Sequence, residues 1–171
     1  RKGASGAPEW ATMRWGLPGP SSTGGAPVTN IRNIASPHWR PVLGPANRCL
    51  VPFTAFSEYE DDTPKGAKVI RWFAPPDRGM LCFAGIWRPW TGDRGTKKTP
   101  KAGDHLLYSI MTTQPNGIVR PIHGDAMPVM LMTPEDVGRW LNSGSVEEAL
   151  AMQKPAPDDA IVILPSDKKA A

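Results

Sequence analysis

Two side chains in this sequence are of types that move protons and stand in unusual surroundings. Glu58 ends the apolar run VPFTAFSEY, at the mouth of an expected core strand, where partial burial raises the pKa of a carboxyl group. His123 lies in IVRPIHGDAMPVML, where two Pro and a Gly restrict its backbone to a turn. Both settings suit a general acid or base. Each also suits a structural role, Glu58 facing water or pairing with Arg, and His123 as a hydrogen-bonded turn residue.

Asn30 and Arg32 are a second pair of candidates, in the segment TNIRN after the Gly-, Ser- and Pro-rich stretch LPGPSSTGGAP. An Asn side chain offers both a donor and an acceptor, and the Arg fork matches a phosphate group. Taken alone, both are ordinary turn residues. The sequence contains no P-loop, dinucleotide fingerprint, G-x-S-x-G or zinc-like Cys/His spacing. We therefore expect neither a cofactor nor a metal.

The composition bounds the class of protein. The chain has 171 residues, 40% of them hydrophobic and 7 of them Trp, which excludes a disordered chain and favours one domain over residues 1–171. No apolar stretch is long enough to span a membrane, and no signal peptide opens the chain, so we expect a cytoplasmic protein. The two Cys, Cys49 and Cys82, each lie in an apolar run and cannot form a disulfide framework.

The positive charge is unevenly distributed. The net charge is only +4, but the first 48 residues carry six Arg or Lys against Glu9 as the one acid. A second basic cluster, Arg94–Lys101, reads as an exposed loop. A solvated face explains these charges most simply, and a phosphate-binding surface is the alternative.

Residue patterning predicts many short strands and two helices. The Pro and Gly counts, 20 and 17, disfavour a helical bundle. Capping signals at Thr133 and Ser145 predict the helices. Together these patterns predict an α+β fold, mainly antiparallel β with a few short helices. Apolar runs predict strands over residues 10–15, 48–59, 67–73, 80–87, 105–113 and 160–164.

Six segments in order resemble one known family. They are MRWGLPGP, TNIRN, NRCLVPFTAFSEY, CFAGIWRPW, SIMTTQPNGIVRPIHGDAMPVML and TPEDVGRWL, spanning about residues 10–141. They resemble the SRAP family, the SOS response-associated peptidase domain proteins that react with abasic sites in single-stranded DNA. The resemblance implies curved antiparallel sheets around a positively charged channel. It also implies an N-terminal Cys whose amine and thiol capture the abasic aldehyde as a thiazolidine, and which permits autoproteolysis.

The resemblance assigns a role to each matching residue. It implies that Asn30 orients the N-terminal Cys and the lesion, that Glu58 shuttles protons for the attacking amine, and that His123 assists sugar ring opening. It implies that Arg32 clamps a DNA phosphate and that Thr112 contacts DNA. The partner is then single-stranded DNA with abasic sites, bound by a monomer without metal, cofactor or membrane.

Two departures from the family pattern concern the chemistry. No Cys stands near Arg1, and Cys49 and Cys82 match strand positions, so we expect the part of the domain with the catalytic Cys to precede Arg1. Ala126 stands where the family has Arg. Two alternative functions stay open: a catalytically silent single-stranded nucleic-acid-binding module, and an unrelated amidohydrolase or peptidase that uses Glu58 and His123.

Overall fold

A computed structural model describes residues 1–3, 5–64 and 66–165. The regular elements are twelve strands and two helices, joined by short 3₁₀ turns. In chain order they are β1 (Arg14–Trp15), β2 (Leu17–Pro18), β3 (Pro27–Val28), β4 (Asn30–Ile31), β5 (Arg48–Phe53), β6 (Phe56–Tyr59), β7 (Ile70–Ala74), β8 (Leu81–Asp93), β9 (Ala102–Thr113), β10 (Met127–Pro128), β11 (Met130–Leu131), α1 (Pro134–Asn142), α2 (Val146–Leu150) and β12 (Val162–Ile163).

The two longest strands, β8 and β9, organise a seven-stranded sheet. They pair antiparallel from Gly85↔Ile110 to Asp93↔Ala102. β5 and β11 pair antiparallel with β8, and β10 pairs antiparallel with β9. β1 and β4 pair with β9 in parallel. The expected α+β fold with mainly antiparallel strands is thus confirmed, with two short parallel partners that the apolar pattern did not reveal.

The sequence pattern predicted a single strand over residues 48–59, and this prediction is wrong. The segment breaks at residues 54–55 into β5, in the large sheet, and β6, in a separate three-stranded sheet of order β12-β7-β6. β5 occupies an outer position on β8, which agrees with Pro52, since Pro lacks the N–H that a central strand needs. The predicted first strand is also shorter than expected, since only Arg14–Trp15 pairs with β9.

Both helices begin where their caps predicted. The Thr133 hydroxyl accepts a hydrogen bond from the Asp136 backbone N–H, and the Asp136 carboxylate accepts one from the Thr133 N–H, which completes a capping box for α1. The Ser145 hydroxyl caps α2 by accepting from the N–H of Glu148, whereas the Glu148 carboxylate accepts from the Ser143 hydroxyl, so this cap is not reciprocal. These contacts are local in sequence, so the sequence alone was enough to predict them.

The large sheet carries apolar side chains on both faces. One cluster joins Ala84, Ile86 and Leu107 to Trp140 and Leu141 of α1. A second cluster joins Phe53 and Phe83 to Phe56 and Phe73 of the smaller sheet, with the Phe53 and Phe83 rings stacked at 3.8 Å between centroids. Burying both faces explains the near-continuous apolar sequence of the central strands.

A fully buried arginine joins the sheet to the helices. Arg48 has no exposed surface, and its guanidinium donates hydrogen bonds to four backbone carbonyl oxygens. It also lies over the Trp140 ring, 5.5 Å from its centroid. Burial lowers the pKa of Arg48, and the Glu148 carboxylate opposes that effect. The four acceptors are the carbonyls of Leu43, Trp140, Ser143 and Ser145, at 2.7 to 3.2 Å.

Replacing this arginine should destabilise the protein strongly. Arg48→Met keeps most of the apolar volume but leaves carbonyl groups near the end of α1 and the start of α2 without donors, and each buried unsatisfied group is costly. We expect the free energy of unfolding to fall by about 3 kcal/mol or more. Urea unfolding monitored by Trp fluorescence measures the change.

The exposed neighbour Arg139 on α1 supplies the matched control. Arg139→Met makes the same substitution at an exposed position of α1 and should change the free energy of unfolding by about 0.5 kcal/mol or less. Equal effects of the two substitutions would contradict the assigned role of Arg48.

Candidate functional site

Glu58 lies on β6, opposite Arg71 of β7, at the edge of the smaller sheet. Its side chain is 25% exposed, so water reaches the carboxylate but does not surround it. Burial raises the pKa of Glu58; the positive charge of His123 opposes this, and the negative charge of Asp61 adds to it. The sequence expectation of a partly desolvated carboxyl group agrees with this placement.

His123 is held in a turn formed by residues 119–125. Its backbone N–H donates to the Val119 carbonyl at 2.8 Å. Asp61 binds the same turn at both ends, because its N–H donates to the Ile122 carbonyl at 2.9 Å and its carboxylate accepts from the Gly124 N–H at 2.7 Å. The backbone around His123 is therefore fixed by the loop that follows β6.

The His123 ring stands between two carboxylates. Nδ1 lies 2.9 Å from Asp61 Oδ1, and Nε2 lies 3.9 Å from Glu58 Oε2. An ionised carboxylate can only accept, so Asp61 selects the form of the ring that carries a proton on Nδ1. Nε2 then faces Glu58 across a gap of 3.9 Å, where a bound molecule can contact both groups.

Asp61 is the residue of this group that sequence reasoning missed. Hydrogen bonds from the Gly124 N–H and then from His123 lower the pKa of Asp61, so it stays ionised beside the ring. The acidic stretch after Glu58 was visible in the sequence, but nothing local linked any of its members to a turn 62 residues further on. Asp61 and Glu58 thus have opposite pKa shifts on the two sides of one imidazole.

Arg32 reaches the same turn from β4. Its Nη1 donates a hydrogen bond to the backbone carbonyl of Asp125, two residues beyond His123. Gln153 Nε2 donates to the carbonyls of Arg32, at 2.9 Å, and Thr112, at 2.7 Å. Gln153, which carried no sequence signal, therefore joins β4, β9 and the segment after α2.

The structure places the remaining two predicted residues on the strands beside Arg32. Asn30 is exposed on β4, in register with Ile110 of β9. Thr112 is only 5% exposed and pairs with Pro128 of β10, so in this conformation it supports the strand pairing beside the His123 turn. Ala126 ends that turn, immediately before β10. Glu58 and His123 are thus brought into direct proximity, Arg32 is joined to their turn, and Asn30 and Thr112 lie on its supporting strands.

The described residues show neither a group of metal ligands nor a membrane-spanning helix. Across residues 1–3, 5–64 and 66–165, no three His, Cys, Asp or Glu side chains are grouped so as to hold a metal ion. Within the same residues, neither helix has the length and apolar character needed to cross a bilayer.

An α+β domain with a His between two carboxylates is the class that fold and site define, and comparison with known proteins gives the family. The model of the family described as SOS response associated peptidase (SRAP) matches residues 2–170. The chain belongs to the SRAP family. No curated protein sequence matches it.

Solved structures show the same fold. A protein from Bacteroides thetaiotaomicron is 25% identical with a TM-score of 0.68, and the match covers 91% of this chain and 69% of that one. A protein from Bordetella bronchiseptica is 23% identical with a TM-score of 0.66, covering 90% of this chain and 75% of that one. A phage-related protein from Bordetella bronchiseptica is 22% identical with a TM-score of 0.68, covering 96% and 75%.

The raised pKa of Glu58 predicts a pH-dependent effect on stability. A carboxyl group whose pKa is higher in the folded protein holds its proton more tightly there, so its contribution is fully present below the ordinary value of 4.5 and is lost as pH rises through the raised pKa. Glu58→Gln removes that titration. We expect the stability of the Gln variant relative to the parent to increase as pH rises through this window.

Thermal unfolding of both proteins across a pH series from below 4.5 to 8 measures this difference. Glu135→Gln, on the exposed side of α1, controls for the removal of one exposed carboxylate. A difference between Glu58→Gln and parent that stays constant with pH, or shrinks as pH rises, contradicts the partial burial of Glu58.

Proposed function

We propose that this protein captures abasic sites in single-stranded DNA as a covalent adduct. The nucleophile in this proposal is an N-terminal Cys upstream of Arg1, which also permits autoproteolytic removal of residues before it. Support comes from membership of the SRAP family and from one observation in this chain: Glu58 and His123, from separate elements, face each other at 3.9 Å with Asp61 fixing the ring.

The reaction requires proton transfers at each of its steps. The α-amine attacks the ring-opened aldehyde carbon, the carbonyl oxygen gains a proton, and the amine nitrogen loses one. Departure of that oxygen as water gives an imine, and addition of the thiol to the imine carbon closes the thiazolidine, with the thiol proton passing to nitrogen. The net change is loss of one water molecule. An α-amine suits this role because its pKa lies well below that of Lys.

Glu58 and His123 supply the proton transfers in this proposal. Burial raises the pKa of Glu58, which favours its protonated form as a proton donor to the departing oxygen. His123, protonated on Nδ1 toward Asp61, presents Nε2 as the acceptor for a sugar hydroxyl proton during ring opening. Asp61 acts as a positioning residue, because it bonds the ring and the turn rather than the reacting atoms.

In this proposal, the residues that contact DNA lie on β4 and directly after it, beside the His123 turn. Arg32 is exposed, and its guanidinium keeps donors free of the Asp125 carbonyl for a phosphate oxygen. Asn30, two residues earlier, is exposed on β4 and in this proposal orients the Cys and the lesion. A single strand is the preferred partner, because the reacting sugar must be reachable outside a stacked duplex.

Loss of either proton-transfer group should slow adduct formation without unfolding the protein. With protein expressed from its natural start codon and an oligonucleotide bearing one abasic site, we expect Glu58→Gln and His123→Ala to lower the rate by about 10²-fold, the lower range for general acid–base catalysis. Asp61→Asn should lower it less and change its pH profile, since the amide no longer favours the Nδ1–H form. Denaturing gels of timed samples give the rates.

Asp62→Asn is the matched control, because it removes the same charge from the exposed neighbour of Asp61. It should react at the parental rate. Parental rates in both Glu58→Gln and His123→Ala would show that the site residues are wrongly assigned.

Arg32 should contribute to DNA affinity through a phosphate. We expect Arg32→Ala to weaken binding to single-stranded DNA and to reduce the slope of log affinity against log salt by about 0.7, the value for one phosphate contact. Fluorescence anisotropy over a salt series measures both. Arg139→Ala, exposed on α1, removes an equal charge elsewhere and should leave the slope unchanged. An unchanged slope for Arg32→Ala would remove it from the DNA path.

A further inference from the structure

The paired strands β8 and β9 continue well beyond the rest of the large sheet. β5 pairs with β8 only as far as Ile86, and β1 pairs with β9 from Leu107 onward. Residues 89–93 and 102–106 therefore have only each other as strand partners within the described chain, and Arg88 pairs with Leu107. We name residues 88–106, with the connecting loop 94–101, the ribbon. Most of its side chains are exposed on both faces.

The ribbon carries an excess of positive charge that its own acids do not neutralise. Asp93 Oδ1 accepts from the backbone N–H groups of Gly95 and Lys101, at 2.7 and 2.8 Å. Asp104 Oδ1 accepts from the Thr91 hydroxyl at 2.6 Å. The ion pairs found among the described residues all lie outside the ribbon. Against these two acids stand five cations, Arg88, Arg94, Lys97, Lys98 and Lys101.

Two guanidinium groups flank the base of the ribbon, and a third, from the tip loop, folds back over Trp90 toward Gly16. Arg14 of β1 and Arg88 of β8 are both in register with Leu107 of β9, which places them on one face. Arg94 lies over the Trp90 ring, 5.8 Å from its centroid, and donates to the Gly16 carbonyl at 2.8 Å. Burial and then the positive charge of Arg14 lower the pKa of Arg94. Among the described residues, the Arg94 Nε has no hydrogen-bond partner.

The loop at the tip of the ribbon is ordered by its own hydrogen bonds. In addition to the N–H groups of Gly95 and Lys101 that bind the Asp93 carboxylate, the Arg94 N–H donates to the Lys101 carbonyl at 3.1 Å. Thr96 and Thr99 bond through both side chains and backbone. His105 Nε2 lies 2.9 Å from the Lys101 carbonyl. The cations are therefore presented from a shaped hairpin rather than from a loose chain, which reduces the ordering cost of binding.

We propose that the ribbon binds the phosphodiester backbone of DNA at a distance from the reacting site. Guanidinium and ammonium groups with no internal acid partners fit phosphate oxygens. A two-stranded ribbon also has the dimensions of a groove-binding element. This inference rests on the proposed function for the identity of the polyanion, whereas the charge and geometry of the ribbon stand independently of it.

The position of the ribbon sets the length of DNA that can reach it. Ala102, at the tip end of β9, precedes Ile110, the partner of Asn30, by eight residues. At about 3.3 Å per residue this is about 26 Å, close to the length of 8 base pairs at about 3.4 Å each. Oligonucleotides of about 5 nucleotides bound at Glu58 and His123 should end before the tip loop of the ribbon, whereas those of about 20 should reach it.

The test is an affinity measurement on a triple variant of the tip loop, Lys97→Gln, Lys98→Gln and Lys101→Gln. The probes are oligonucleotides of about 5 and 20 nucleotides with one unreactive tetrahydrofuran abasic analogue, and the long probe has either a single-stranded or a duplex flank on each side. For the long probe that reaches the ribbon we expect about a 10-fold loss of affinity and a salt slope smaller by about 2, as for three phosphate contacts on single strands. The short probe should bind as before.

A second triple variant, Arg40→Gln, Arg78→Gln and Arg139→Gln, removes the same charge from exposed sites outside the ribbon. It should change long-probe affinity by less than about 3-fold, because screened distant charges contribute little. Matched thermal unfolding curves confirm that both variants are folded.

The outcomes separate the ribbon from the proposed reaction. If the ribbon variant loses affinity for only one of the two long probes, the ribbon proposal is supported. The probe affected then shows whether the ribbon binds a single-stranded or a duplex flank. Unchanged long-probe affinity, equal loss on short and long probes, or equal loss in the two triple variants overturns the ribbon proposal. If the parent forms no covalent adduct yet the ribbon variant loses long-probe affinity, the proposed reaction fails and the ribbon proposal stands.

Discussion

The antiparallel pairing of β8 with β9 is the constraint on which the other elements depend. Every other strand of the large sheet pairs with one of these two, and most of the candidate site follows from where β9 ends. Beyond Thr113 the chain makes the turn that holds His123 and then returns as β10 against the same strand. The side chains of β5 pack closely over β8. A Cβ on Gly85 of β8 would lie 2.9 Å from Cys49 Sγ of β5, so this position favours glycine.

The candidate site joins the end of this large sheet to the smaller one. Glu58 belongs to β6, and the loop after β6 carries Asp61 across to the His123 turn. The site therefore sits where two separately packed sheets meet, with an apolar cluster of Phe side chains beneath that meeting point. This arrangement leaves Glu58 half-buried with a raised pKa while Asp61, at the surface, keeps a lowered one. Two carboxylates on one imidazole thereby acquire different protonation behaviour from their surroundings alone.

Sequence reasoning succeeded where interactions are local and failed where they are not. The caps at Thr133 and Ser145 involve partners three residues away and were predicted correctly. The division of residues 48–59 between two sheets was missed, because an apolar run does not reveal its pairing partner. Glu58 and His123 were identified by their surroundings and by resemblance to the SRAP family. Asp61 escaped detection because its partners are set by chain reversal between distant loops, which no short window contains.

The central claim is covalent capture of an abasic site by this fold, and the product mass tests it most directly. Protein expressed from its natural start codon is incubated with a single-stranded oligonucleotide bearing one abasic site, and the intact product is weighed by mass spectrometry. The account predicts one new species with the mass of protein plus DNA less one water, and peptide mapping should place the bond at the mature N-terminal Cys. With that Cys confirmed at the N-terminus, absence of the species, or a bond at any other residue, would contradict the account.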